Sequence, residues 1–356
     1  MSATLAGRWR VGALNLAVPL LSVGAALLLG ALATLAFGKS TGVLAEAFVD
    51  GAFGSAYAVG ASLNRACILA LVGIGFCWAY RARLVNVGGE GQIAIGGTCA
   101  AAVALHAGTS TLPLPFSVLC PVLAAAVGGM AWGALAGAMK VRFGTNEVIS
   151  TLLLSFVALW LLYAVTHSEG LLRQPMTSSS SLPESAEIPV AARIPLLGSD
   201  ASPLHAGFAA MLLLAAWVWY LLGHTVFGLK LRAVGLNERA AANFGIPARL
   251  HIVVALGMAG AFSGVAGAFM VLGEQHALKS EFASGYGFDG LVVGLLARGS
   301  PLASVAYALF FGFLRSGGIA LEISAGVPAA MVLLVQGLIV VTVAGASFLL
   351  PRQDAR

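Results

Sequence analysis

Residues 86–97 read "NVGGEGQIAIGG". Five glycines, one carboxylate (Glu90) and two amides (Asn86 and Gln92) stand there, inside a strongly apolar chain. Glycine weakens a helix, and a charged side chain at the centre of a span costs at least about 2.5 kcal/mol. Backbone of this kind is tolerated at membrane depth only where protein buries it or a water-filled cavity meets it. The stretch marks either a break in a membrane span or a chain that does not span at all.

The surrounding sequence decides between these. The chain has 356 residues, 59% of them hydrophobic and only 9% charged. A soluble domain of this length needs far more charge to cover its surface. Apolar runs of about 20 residues recur instead, the length a helix needs to cross a bilayer core. Ten crossings are expected, near 12–36, 62–80, 87–106, 116–139, 147–167, 204–223, 250–273, 286–297, 301–317 and 327–349. With the N-terminus in the cytoplasm, thirteen Lys and Arg fall on the inside and six on the outside. That bias follows the positive-inside rule, and both termini are then cytosolic. Arg8 and Arg10 precede a first apolar run too long for a signal-peptide core, so an uncleaved span is expected.

Other classes find little support. The net charge of +5 is spread between apolar runs rather than along one stripe, so no nucleic-acid partner is expected. Cys67, Cys77, Cys99 and Cys120 all lie in apolar segments with no CxxC pair, and no HExxH occurs. Neither a disulfide nor a metal site is expected.

Two connecting loops are long. The first, 168–203, is expected outside, with a serine run at 178–181 and five prolines at or near it. The second, 224–249, is expected inside and carries "GLNERAAANFGIP". Asn237 reads as the N-cap of a two-turn helix over 238–244, with Glu238 in its first turn. Gly245 reads as its left-handed stop, and Pro247 prevents continuation. This is either a surface helix or a docking element for a cytosolic partner.

The eighth crossing is short. Thirteen residues, 285–297, make about 20 Å of helix against a core of about 30 Å. It opens "GYGFDG", and Pro301 follows it. The third and eighth crossings each set glycines around an acidic residue, Glu90 or Asp289, ahead of a short apolar helix. They run in opposite senses, which predicts an inverted repeat of spans two to five and seven to ten. Interrupted segments so related point to a transport path, with Glu90, Gln92, Phe288 and Asp289 as its candidate residues. Each acid also admits another reading, a buried carboxylate bonded to backbone N–H groups at a helix start. Asn146 and Glu147 in "FGTNEVISTLLL" read as a helix start.

"FVDGAFGSAYAVGASLNRA", "RLVNVGGEGQIAIGG", "GTNEVISTLLL", "LKLRAVGLNERAAANFGI" and "GYGFDGLVVGLLARGSPL" together cover most of residues 45–320. This combination resembles the permease subunit of bacterial ABC importers in the simple-sugar and nucleoside branch, related to branched-chain amino acid permeases. Departures fall at Ile68, at Gly88-Gly89-Glu90 and at Ser155-Phe156, and bear on substrate rather than fold. The resemblance implies an all-α, polytopic, type II importer-like fold in one transmembrane domain, 1–356, of the bacterial cytoplasmic (inner) membrane. It implies three protein partners besides membrane lipid: a cytosolic ABC ATPase, a second permease in a heterodimer, and an extracytoplasmic substrate-binding protein. It makes Gly235, Leu236, Asn237, Glu238, Arg239, Ala240, Ala241 and Gly245 the coupling-helix segment that docks on the ATPase.

The chain has no G-x-x-x-x-G-K-[ST], so no cofactor is expected in it; ATP and Mg²⁺ belong to the ATPase. Such a subunit is not an enzyme, and its cargo is a nucleoside or a simple sugar. The rivals are a branched-chain amino acid permease and an ion-coupled carrier in which Glu90 and Asp289 bind Na⁺ or H⁺.

Overall fold

The computed structural model describes residues 41–175, 182–198 and 201–327, with 334, 337 and 338. Among the described residues the regular elements are helices, and β pairing is limited to three isolated bridges. The chain divides into two compact units, 60–312 and 1–59 with 313–356.

The long apolar rods are α4 (Phe116–Phe143), α5 (Glu147–His167), α6 (Gly207–His224) and α9 (Ala248–Phe269) in the larger unit, with α2 (Ala56–Arg81) and α11 (Pro301–Ala325), each of which is divided between the two units. Among the described residues, six helices are long and apolar enough to cross a membrane, the α9 rod being extended to Gln275. The chain is a multi-pass membrane protein. These six match the expected crossings two, four, five, six, seven and nine. The first crossing, 12–36, and nearly all of the tenth, 327–349, lie outside the described residues. The third and eighth are present as α3 (Gly89–His106) and α10 (Tyr286–Leu296).

Burial sorts the rods. The central windows of α2 and α9 are 78% buried, against 22% for α4 and 28% for α5 and α6. The outer helices present Leu123, Val127, Leu153, Trp160, Leu213 and Tyr220 to the surroundings, as a lipid-facing surface requires. Inside, α4 meets α9 along a seam of glycines. A β-carbon at Gly129 would sit inside the carbonyl oxygen of Gly260, and one at Gly260 inside that of Gly129. Gly133 faces the Leu256 carbonyl and Gly264 that of Ala125 in the same way, while Gly267 lies on Ile93 of α3. Lipid tails give no hydrophobic drive for helices to associate, so close backbone packing between small residues supplies the attraction.

Local signals behave as read. Asn146 caps α5, accepting from the N–H groups of Val148 and Ile149 at 2.9 and 3.4 Å, and Gly144 closes α4 at φ +69°. The sixth crossing begins at Gly207, not 204, because 201–206 is drawn into the preceding loop. There Leu197 N–H donates to the Leu204 carbonyl and Ala206 N–H to that of Pro195. The seventh extends past the expected 273 because Met270–Gln275 continues α9 as a π-helix, ended by His276 at φ +53°.

The smaller unit contains a helix the sequence reading passed over, α1 (Thr41–Phe53). It packs on the second half of α11, from its middle onward: Phe53 stacks on Phe313 with centroids 4.6 Å apart. Gly51 lies against Ala320, and Gly317 against the Phe48 ring. Leu44 and Val327 are buried together beside Leu321.

Candidate functional site

The "NVGGEGQ" stretch is a re-entrant link. After α2 ends, residues 84–88 run without helix, and α3 starts with Gly89 against Val72, well inside α2. The helix α10 approaches the same point. Gly290 packs on Val72 and Gly294 on Phe76, so α10 runs alongside α2 in the same direction. The N-terminus of α10 therefore meets the N-terminus of α3, where a β-carbon at Gly287 would collide with the Glu90 backbone nitrogen. Only glycine lets the two backbones come this close.

Glu90 joins them. Its Oε1 accepts from Gly285 N–H at 2.7 Å and its Oε2 from Gly287 N–H at 2.7 Å. These are short, charge-assisted bonds, made across 195 residues of sequence. They satisfy donors that a helix start leaves unpaired. Gly285 takes a left-handed φ of +81°, which turns its N–H toward the carboxylate. The helix-start reading of Glu90 is thus realised, with the capped helix in the other half of the chain.

The amides serve the link itself. Asn86 and Gln92 bond each other twice, at 2.8 and 3.1 Å, and Asn86 Oδ1 also accepts from Gly88 N–H. The helix α5 grips the segment from the side: Thr151 Oγ1 accepts from Val87 N–H and Ser155 Oγ from Gly91 N–H. The Thr151 hydroxyl is missed in the sequence, where it looks like an ordinary helix residue, and Ser155 stands out there as a departure from the family pattern bearing on substrate, not for this bond. Of the four candidate path residues, Glu90 and Gln92 are buried in this network. Phe288, 40% exposed, and the half-buried Asp289 sit one turn into α10. The structure brings Glu90 to the α10 start that carries the other two, while Gln92 turns to Asn86.

The 224–249 loop folds as two helices, α7 (Val226–Leu236) and α8 (Glu238–Asn243). Asn237 caps α8 through Ala240 N–H at 3.0 Å. Gly245 stops it at φ +78°, with Ile246 N–H returning to the Ala241 carbonyl. Glu238, Arg239, Asn243 and Phe244 point away from the protein, Phe244 being 87% exposed. Ala241 is only 4% exposed, so its side chain faces back into the loop. Gly235 rests on the backbone of Ala82, where α2 ends.

A helical bundle with two interrupted helices meeting N-terminus to N-terminus, and a capped two-helix loop at one end, is a transporter arrangement. Residues 58–344 match the family described as the branched-chain amino acid transport system / permease component. The chain belongs to this permease family. It is similar to the guanosine ABC transporter permease protein NupP of Bacillus subtilis, 34% identical over 93% of this chain and 93% of that one. It is similar also to the glucose ABC transporter permease protein TsgB13 of Haloferax volcanii, 32% identical over 90% of this chain and 85% of that one. The nucleoside ABC transporter permease protein NupB of Lactococcus lactis is 29% identical over 84% of this chain and 83% of its own. No solved structure matches the permease. Among its described residues, no three His, Cys, Asp or Glu side chains converge as a metal ion requires.

At the opposite end of the permease bundle the 182–198 loop is strapped to the end of α9. Ile188 N–H donates to the His276 carbonyl and Ile194 N–H to that of Leu272. Beneath it His205, fully buried, accepts from Gly207 N–H through Nδ1 and lies edge-on to Phe269. That bond assigns the ring proton to Nε2. Burial, aided by the neighbouring His276, pushes the His205 pKa down to about 4. Below the unfolded value near 6.5, the unfolded chain takes up a proton that the folded one refuses. Stability therefore falls as pH drops from about 6.5 to about 4 and levels off below, by on the order of 3 kcal/mol for full refusal. The melting temperature of the purified permease is expected to fall over this window. His205→Asn, whose amide oxygen replaces Nδ1, should flatten the fall; an unchanged slope would assign it elsewhere.

Proposed function

We propose that this permease is the membrane subunit of an ABC importer for a nucleoside or simple sugar, working by alternating access. The observation that carries the reading is the pair of broken helices fastened by Glu90 inside the bundle. Family membership and the guanosine, nucleoside and glucose permeases named above support the cargo class. The permease performs no covalent chemistry; ATP and Mg²⁺ act in a cytosolic ATPase that receives the 224–249 loop. A substrate-binding protein delivers cargo at the 168–203 side, and a second permease completes a heterodimer. The chain makes ten crossings in the bacterial cytoplasmic membrane, with both termini cytosolic and spans two to five and seven to ten as inverted repeats. At the break, Phe288 and Asp289 flank the path, and Glu90 and Gln92 support it from behind.

Proteoliposomes holding the full complex test this. ATP-dependent uptake of guanosine or glucose is expected, with none driven by a Na⁺ or H⁺ gradient alone; gradient-driven uptake without ATP would establish the carrier reading instead. In whole cells of a cysteine-free strain, an impermeant thiol reagent should label Val190→Cys and spare Phe244→Cys, both sites being exposed. The reverse pattern inverts the orientation.

A further inference from the structure

We infer that residues 82–90 are a mechanical relay that carries displacement of the 224–249 loop to the start of α10, with Glu90 as the positioning residue at its far end. This rests on the reading of that loop as the ATPase contact.

The relay begins where Gly235 of α7 lies on Ala82. A β-carbon at 235 would stand 2.6 Å from the Ala82 carbonyl carbon, so neither backbone moves toward the other without pushing it. Arg81 ties the same corner to the end of α6, donating to the Leu222 carbonyl at 3.0 Å. The chain then reverses tightly. Leu84 N–H returns to the Ala79 carbonyl, and Arg83 adopts φ +54°, a left-handed conformation uncommon outside glycine. Such a reversal leaves little slack. Leu84 and Asn86 are buried, and the Asn86–Gln92 pair with the Thr151 and Ser155 hydroxyls fixes the next turn. Glu90 ends the segment with its two bonds to α10.

Close-packed interiors transmit strain rather than absorb it. From loop to broken helix the connection is a single continuous stretch of chain, buried at Ala82, Leu84, Asn86 and Glu90 and held by backbone or charged contacts at both ends. The glycine at 235 and the carboxylate at 90 thus belong to one device. Neither touches the exposed Phe244 face.

Coupling between the two ends is the measurable content. The complete complex of both permeases, ATPase and binding protein is reconstituted with Gly235→Ala, Glu90→Gln and the double variant. Assembly, ATP hydrolysis and cargo moved per ATP are read for each. Each single variant should move about fivefold less cargo per ATP hydrolysed. If Gly235→Ala does not assemble, since its β-carbon meets only the Ala82 backbone, Arg81→Gln, which frees the same corner from the Leu222 carbonyl, takes its place, and failure of both to assemble overturns the relay. The double variant should be no worse than the poorer single one, because both interrupt one relay. Losses that multiply independently overturn the proposal, as does Glu90→Gln with unchanged cargo per ATP. Glu90→Asp, which keeps the charge on a shorter arm, replaces Glu90→Gln if that variant does not assemble; failure of both to assemble makes Glu90 purely structural and overturns the relay. A wild-type complex without ATP-driven uptake overturns the importer reading and the relay together, whereas an active wild type with independent variants overturns the relay alone.

Discussion

Gly260→Ala is expected to leave little folded permease, while Gly257→Ala, three residues earlier on α9, is expected to be tolerated. At 260 the added carbon lies inside the carbonyl oxygen of Gly129, and the nearest atoms are all backbone. Backbone cannot rotate away, so α4 and α9 must part along their length. Overpacking an ordinary core costs about 1–3 kcal/mol. Separating this seam also loses the contacts of Gly133 and Gly264, so the cost should exceed that range. At 257 the nearest atoms stand at 3.4 Å, an ordinary contact, and replacing a helix glycine by alanine gains about 0.5–1 kcal/mol. Thermal unfolding of the purified variants compares the two directly. Equal melting temperatures would remove the glycine seam from the account of what holds the bundle together.

Phe244→Glu is expected to cut transport more than tenfold with the amount of folded permease unchanged. A phenylalanine 87% exposed at the end of a capped helix has no role in packing its own chain. Exposed apolar groups of this kind mark contact surfaces, and a buried aromatic anchor contributes about 2 kcal/mol or more to an interface. Phe244→Leu, which keeps an apolar end, should retain most activity. Ala241→Glu should behave in the opposite manner, because Ala241 faces inward: a carboxylate forced there lowers the yield of folded protein before any docking is tested. Co-purification of the ATPase with each variant separates the cases. Normal ATPase recovery and uptake with Phe244→Glu would move the contact to another part of the loop.

Much of this architecture is legible in residue order. Apolar length locates six of the long rods, because the bilayer fixes that length physically. The caps at Asn146, Asn237 and Gly245 are local chemistry, and each forms the bond its type demands. Glu90 is legible as an anomaly, and a helix start is among its readings. The likeness of the third and eighth crossings relates its segment to α10, but the actual donors, Gly285 and Gly287, are not legible, since residue order does not say which N–H groups a carboxylate takes. The π-helical end of α9 escapes for another reason: a wider helical turn leaves no compositional trace in "MVLGEQ". The helix α1 escapes because Glu46 and Asp50 interrupt its thirteen residues, so no continuous apolar run marks it. Phe244 is hidden in turn by the pattern around it, which identifies a helix end but not which side chains that end turns outward.

The meeting of α3 and α10 has an electrostatic consequence. Each helix start carries roughly half a positive elementary charge, and two of them face each other across Gly287 and Glu90. Glu90 offsets the pair, and the carboxylate of Asp289, in the first turn of α10, adds negative charge beyond that balance. The break thus holds no positive surplus, in a region where charge acts over a long range for want of water to screen it. An anion finds nothing there to hold it and is repelled by Asp289. A solute without net charge meets no such opposition. Neutral, hydroxyl-rich cargo is the kind of molecule that such a crossing point suits.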